Sequence, residues 1–413
     1  PIVSATDLAL VGQADELGVA TVGLSTSVVL TFVWIFGSLF YPVSARVGVL
    51  FGASQYEKIN HLVSYLFYRM LIVVFIMSVI LYFVAEPIIS WYGASEGDIK
   101  VQATVFLQIR ALGLLPLVGA MYIFQVFKGL QNTKVILYAT LISSVLNLGF
   151  DLLLIEGLWF FPRMGVEGAA YASLIGQTGM FLFILMVFLQ QKILIRSATR
   201  PQQLLQLMAN SANLLIRTVL LNATLIIGNR ITLNSSVFSL QTHIIMANFF
   251  MLVSYFLDGA ATAATAIIAS LKGAKQLSLI KGVILKCGVI NLVFTSLFVL
   301  VAVLFKKELF SIYEAPIAVL DLFDRVDVIY YSCLFFGGVA FTLDGVMIGL
   351  EKMKFLRNTL VVATGSYIGF LYLFQEQDLY AVWSSLVLWM SIRALLPLWK
   401  ARNLGSNSSG LFV

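Results

Sequence analysis

The sequence has 413 residues, of which 60% are hydrophobic and 11% charged, with a net charge of +6. Soluble domains carry roughly 25% charged residues, and a soluble fold could not hide this much apolar surface from water. With a mean hydropathy of +0.96, the chain reads as a polytopic, all-helical membrane protein. The positive charge forms no dense basic run, which argues against a nucleic-acid partner. Cys287 and Cys333 lie in apolar stretches without a CxxC, and His61 and His243 are the only histidines. Neither a disulfide framework nor a metal site is expected from that inventory.

In chain order, Pro1 to Val11 is apolar but too short to cross a hydrocarbon core of about 30 Å. It reads as the outer part of a first span that begins about 10–20 residues before Pro1. Apolar runs bounded by turn and charge signals follow near 18–48, 60–84, 102–127, 135–156, 165–190, 204–230, 236–270, 280–304, 328–350, 355–375 and 379–399. With the truncated first, twelve spans are expected. Residues 401–413 contain Gly405-Ser406-Asn407-Ser408-Ser409-Gly410 and read as a flexible tail of the kind an expression vector adds.

One set of loop ends carries Arg46, Lys58, Lys128, Lys134, Lys192, Arg196, Arg200, Lys272, Lys275, Lys281, Lys286, Lys352, Lys354, Arg357, Lys400 and Arg402. The opposite set carries only Lys100, Arg163, Arg230, Lys306, Lys307 and Arg325. The positive-inside rule puts the richer side, and with it both termini, in the cytoplasm. Gly52-Ala53 and Gly273-Ala274 close the second and eighth spans, and Gly129-Leu130 and Gly349-Leu350 close the fourth and tenth. The offsets of 221 and 220 residues agree, so the chain reads as two parallel repeats of six spans around a central cleft. The expected lobes are 1–190 and 204–400, joined by a polar and basic linker, 191–203.

Several stretches resemble the multidrug and toxic-compound extrusion (MATE) transporters. Pro1 to Gly12, with Asp7 six residues after the proline, is similar to that family's first-helix pattern, and Gly18 to Thr26 to the opening of its second. Leu130 to Asp151, with Lys134 and Asn147-x3-Asp151, resembles the loop and fifth-helix signature. Gly165 to Gln177 resembles the start of the sixth, and Asp258-Gly259-Ala260-Ala261 and Asp344-Gly345-Val346-Met347-Ile348-Gly349 resemble two Asp-Gly segments of the second lobe. The set is most similar to the bacterial DinF-type branch, which implies proton coupling. The sodium-associated NorM type carries an acid on its seventh helix, whereas 204–230 here holds Arg217, Asn222 and Asn229 but no Asp or Glu.

Ionisable groups inside hydrocarbon are costly, about 2.5–3.5 kcal/mol each on lenient scales, so each needs a reason. Asp7 lies about 7 Å below the outer end of the first span, and Asp151 at nearly the same depth in the fifth. Asn147 sits one turn below Asp151 on the same face, and Ser173 roughly 12 Å below Gly165 on the sixth. Carboxyls sharing a buried level cannot both ionise cheaply. Together with the resemblance, this makes Asp7 and Asp151 the candidate proton carriers, with Asn147 and Ser173 in support. Asp258 and Asp344, each followed by Gly, are candidates for a hinge or inner gate, or for packing acids paired with an arginine. Phe36, Tyr41, Met121, Gln125, Met246 and Phe250 are candidate cleft-lining residues by helix and family position.

The resemblance implies a proton-driven antiporter, not an enzyme, exporting lipophilic or cationic small molecules by alternating access. It implies a monomer in the lipid of a bacterial cytoplasmic membrane, with no cofactor. The alternatives are sodium coupling and a lipid-linked oligosaccharide flippase. No G-x-x-x-x-G-K-[ST] is present, so ATP is not the expected energy source.

Overall fold

Spanning a membrane leaves backbone N–H and C=O groups no water to bond, so they must pair within the protein, and this chain pairs them in helices. The computed structural model describes residues 10–12, 18–91, 97–195, 200–313, 315–374 and 378–402, and among these there is no strand. The described chain falls into two compact units: Pro1–Val43 with Gln55–Leu204, and Ser44–Ser54 with Leu205–Val413.

The first unit contains most of α1 (Gly18–Gly52), then α2 (Tyr56–Phe83), α3 (Ala85–Trp91), α4 (Asp98–Leu112), α5 (Leu114–Gly129), α6 (Thr133–Ile155) and α7 (Gly165–Gln190). The second contains the last turns of α1, then α8 (Leu204–Ser235), α9 (Val237–Gly273), a 3-10 turn, α10 (Ile280–Leu304), α11 (Lys306–Ser311), α12 (Ile317–Gly349), α13 (Met353–Phe374) and α14 (Asp378–Arg402). Among the described residues, nine helices are long and apolar enough to cross a membrane, and the α4–α5 pair makes ten. Helix α13 has the length, 22 residues, but Lys354, Arg357 and Asn358 near its start leave it more polar.

Three boundaries differ from the sequence reading. The span expected over 102–127 is two helices meeting at Gly113 with a bend of 45°. Pro116 has no N–H to give the carbonyl of Leu112, which relaxes the helix at that turn. Helix α12 starts at Ile317 rather than near 328, because its first turns carry Asp321, Asp324 and Asp327 and hide a helix that continues past the apolar region. The short helices α3 and α11 stand apart from the spans they follow.

The repeat is visible in the helix ends. Left-handed residues follow α1, α9, α5 and α12 at Ser54, Lys275, Gln131 and Glu351, again 221 and 220 residues apart. In each of the last three turns an amide reaches back five residues, Gln276 to Leu271 O at 2.9 Å, Asn132 to Phe127 O at 2.9 Å and Lys352 to Met347 O at 2.8 Å. That pattern closes the orphan carbonyls of a helix C-terminus. Element lengths recur too, with the short helix α3 (85–91) matched by α11 (306–311).

The first pair of landmarks also touch within the second unit. A Cβ placed on Gly52 would come 1.9 Å from Ser270 O, and one on Gly273 would come 1.9 Å from Val49 O. The contact is reciprocal, and each glycine is required by a backbone carbonyl that cannot turn aside. Gly273→Ala should destabilise the purified protein by about 1–3 kcal/mol through overpacking. Gly288→Ala, where a Cβ meets nothing within 4 Å, is the control; equal melting of both variants would show that the contact is slack.

Candidate functional site

In the first unit the candidate site is built by the close packing of α6 on α7. A stripe of small residues on α7 admits the α6 backbone. A Cβ on Gly168 would come 2.7 Å from Leu154 O, and one on Gly176 would come 2.8 Å from Ser143 O and 3.1 Å from Asn147 Cβ. This approach seals Asp151, which is 0% exposed, and Asn147, which is 4% exposed. Ser173, half-buried, precedes Gly176 by one turn and so lies near the level of Asn147. Asp7 lies outside the described residues. Val11 packs in one apolar cluster with Ile155, Val22, Phe106, Ile109 and Val166. Val11 and Ile155 each follow one of the two candidate acids by four residues.

The second unit holds a different arrangement of charge. Asp344 of α12 is buried, and one of its oxygens, Oδ2, accepts from Arg217 of α8 and from Arg393 of α14, the latter at 2.7 Å. The Arg393 guanidinium also lies 4.5 Å above the Trp389 ring, a cation–π contact. Asp344 is thus an acid paired with two arginines. Beside it, a Cβ on Gly345 would come 2.1 Å from Ala261 O of α9. Asp258 is half-buried, and Gly259 beside it has open space where a Cβ would go. At the end of α12, Glu351 bonds Lys272 at 2.7 Å and lies 3.8 Å from Arg46.

The candidate lining residues divide between the units. Phe36 is buried and stacks near Phe40 at 5.8 Å, Gln125 is buried, and Met121 reaches Gly37. Tyr41 has Lys128 5.9 Å from its ring. In the second unit, Met246 is 1% exposed and borders a cavity of about 270 Å³ formed with Phe249, Leu252, Phe310, Phe323 and Tyr330. Phe250 is half-buried near Gly337.

One cluster carries no motif. His243 of α9 is buried, and its Nε2 donates to Asn229 Oδ1 of α8 at 2.9 Å. Tyr367 of α13 and Trp383 of α14 lie beside it. A lone histidine in an apolar run is the only sign of it in the sequence. Among the described residues no group of three or more His, Cys, Asp or Glu could hold a metal ion.

A profile of the MatE family matches residues 1–153 and 214–373, most of the chain. The protein belongs to the MatE family. It is 26% identical over 320 residues to Protein DETOXIFICATION 42 of Arabidopsis thaliana, a match covering 76% of this chain and 61% of that protein. It is 31% identical over 173 residues to a probable multidrug resistance protein NorM of Rhizobium meliloti, covering 42% of this chain and 36% of the relative. The chain thus spans about three-fifths or less of the length of these curated relatives. Its fold matches the crystal structure of a mutant of the Vibrio cholerae MATE transporter VcmN, with TM-score 0.86, 16% identity, and 98% and 93% of the two chains covered. This MatE chain is therefore a multi-pass membrane protein with the all-helical fold expected from its sequence.

Proposed function

We propose that this MatE protein is a secondary antiporter that exports lipophilic, often cationic, compounds in exchange for protons by alternating access. The observation that carries the reading is Asp151, a carboxyl with no exposed surface, set between α6 and α7 with Asn147 one turn away. A buried acid in a spanning helix is expensive to retain and marks an ion or proton path. Proton rather than sodium coupling is supported by the second unit. Helix α8 brings an arginine where a cation site needs an acid, and Asp344 is already held by two guanidinium groups. Export of small molecules draws support from the multidrug names of relatives. We place the chain in a bacterial cytoplasmic membrane; the excess of basic residues at one set of loop ends supports those ends being inside.

The experiment is uptake of ethidium into inverted vesicles, with pH and sodium gradients imposed separately. Uptake should follow the pH gradient and ignore sodium. Uptake driven by sodium alone would replace the proton with sodium, and movement of a lipid-linked sugar but no cation would favour a flippase.

A further inference from the structure

We propose that Arg217, Arg393 and Asp344 form an anion-binding site in the second unit, and that it holds the carboxylate of an exported amphiphile. The export half of this statement rests on the antiport reading above, whose substrate class it narrows; the binding half does not.

The cluster is short of negative charge. Two guanidinium groups face one carboxylate, and both bond its Oδ2. Among the described residues Asp344 is the one carboxyl acting on Arg393, and Arg217 repels it. An arginine does not shed its proton inside a protein, so titration cannot remove the excess charge. It stays costly until a counter-ion enters. Donors are in surplus as well. Arg393 Nε is buried without a partner, and its Nη1 has only Met390 Sδ, at 3.4 Å. Arg217 bonds Asp344 through Nη2 and has no other partner among the described residues. Its remaining N–H groups are enough to grip a carboxylate at two points, the geometry a guanidinium fork favours. One excess charge matches the single charge of that group.

Depth and access fit a ligand that arrives from the basic end of the unit. Asp344 lies five residues, about 7.5 Å, before the end of α12 at Gly349. Arg393 is 4% exposed, so its charge is held inside rather than stretched to the surface. The Arg217 side chain is 15% exposed, which gives an anion a way to its open donors. A charge exposed within a span is tolerated against water, not hydrocarbon. The helix ends on that side carry Lys272, Lys352, Lys354, Arg357 and Lys400, with Glu351 as the acid among them. Arg357 Nη1 donates at 2.8 Å to Asn213 Oδ1, and Asn213 precedes Arg217 by one turn of α8. A third guanidinium thus stands one turn nearer the basic end. Such a field concentrates anions and repels a plain cation. The molecules it suits carry a carboxylate, with or without an amine.

Rhodamine B and its ethyl ester test this, because they share one cationic dye and differ in a carboxylate that is ionised at neutral pH. Fluorescence anisotropy reads their binding to the full chain in nanodiscs, with empty nanodiscs as the blank. A charge-assisted bond should make rhodamine B bind roughly tenfold more tightly than the ester. Arg217→Gln should bring that ratio near one. Should this variant not fold, the triple change Asp344→Leu, Arg217→Met, Arg393→Leu, which removes all three ions together, carries the same test. Equal affinities in the wild type, or a preference that survives in either variant, overturns the site. Transport supplies the second measurement. One proton exchanged for the zwitterion moves one net charge, and for the ester none. At a fixed pH difference in proteoliposomes, imposing about 100 mV should change the rhodamine B ratio roughly 50-fold and leave that of the ester unchanged. A rhodamine B ratio indifferent to voltage overturns its export. Preferential binding with no pH-driven transport of either dye would uphold the anion site and sink the antiport reading. Transport of both dyes by the pH difference, with equal affinities, would do the reverse.

Discussion

Asp344→Asn should destabilise the protein by about 3–5 kcal/mol, the cost of leaving buried cations without their counter-charge. Arg217 and Arg393 both bond the same carboxylate oxygen, and Arg393 is 4% exposed. Its other contacts are weak replacements: Met390 Sδ at 3.4 Å and the Trp389 face. An asparagine oxygen can accept one of the two bonds but carries no charge, and hydrocarbon supplies no water to make up the difference. The triple change Asp344→Leu, Arg217→Met, Arg393→Leu should recover most of the loss, because the desolvation of all three ions disappears with them. Unfolding of each variant in the same detergent measures both effects. A single Asp344→Asn variant within about 0.5 kcal/mol of wild type would mean the charges contribute nothing to holding α8, α12 and α14 together.

The helix ends were the most legible part of the fold. Gly52-Ala53 and Gly273-Ala274, then Gly129-Leu130 and Gly349-Leu350, each announce a C-terminal turn, and the left-handed residues at 54, 275, 131 and 351 follow them. Such turns are local, so a few residues encode them. The bend at Gly113 was harder to read, because Leu and Val on both sides keep the apolar run unbroken while Pro116 removes a single hydrogen bond. Hydropathy locates the apolar stretch rather than the whole helix, so the first turns of α12, with Asp321, Asp324 and Asp327, carry no apolar signal. For the site, burial of Asp151 followed from its place in an apolar helix. The partners of Asp344 did not, since they lie 127 and 49 residues away in the chain. Nothing local in the sequence singles out Arg217 and Arg393 as those partners; the arrangement of α8, α12 and α14 brings them to one carboxylate. The contact between His243 and Asn229 is hidden from the sequence for a similar reason: it depends on how α8 meets α9.

Asp151→Asn should leave insertion and ethidium binding intact and abolish transport driven by a pH difference. The substitution keeps the size and much of the hydrogen bonding of the side chain, and Asn147 and the close approach of Gly176 remain to hold α6 on α7. It removes only the capacity to take up and release a proton. Asp7→Asn, at the second candidate acid, should behave alike if the two share one proton. The quantity at stake is set by the gradient: about 2.3 kcal/mol per charge per 100 mV, so one net charge at about 150 mV sustains roughly a 300-fold concentration ratio. When a single proton is swapped for a monovalent cation no net charge crosses, and only the pH difference does work. Voltage and pH difference must therefore be varied independently in proteoliposomes, with Asp258→Asn as the comparison from the second unit. Coupling that survives in both Asp7→Asn and Asp151→Asn would refute the assignment. Loss in Asp258→Asn alone would move the carrier to α9 in the second unit, where Asp258 is half-buried.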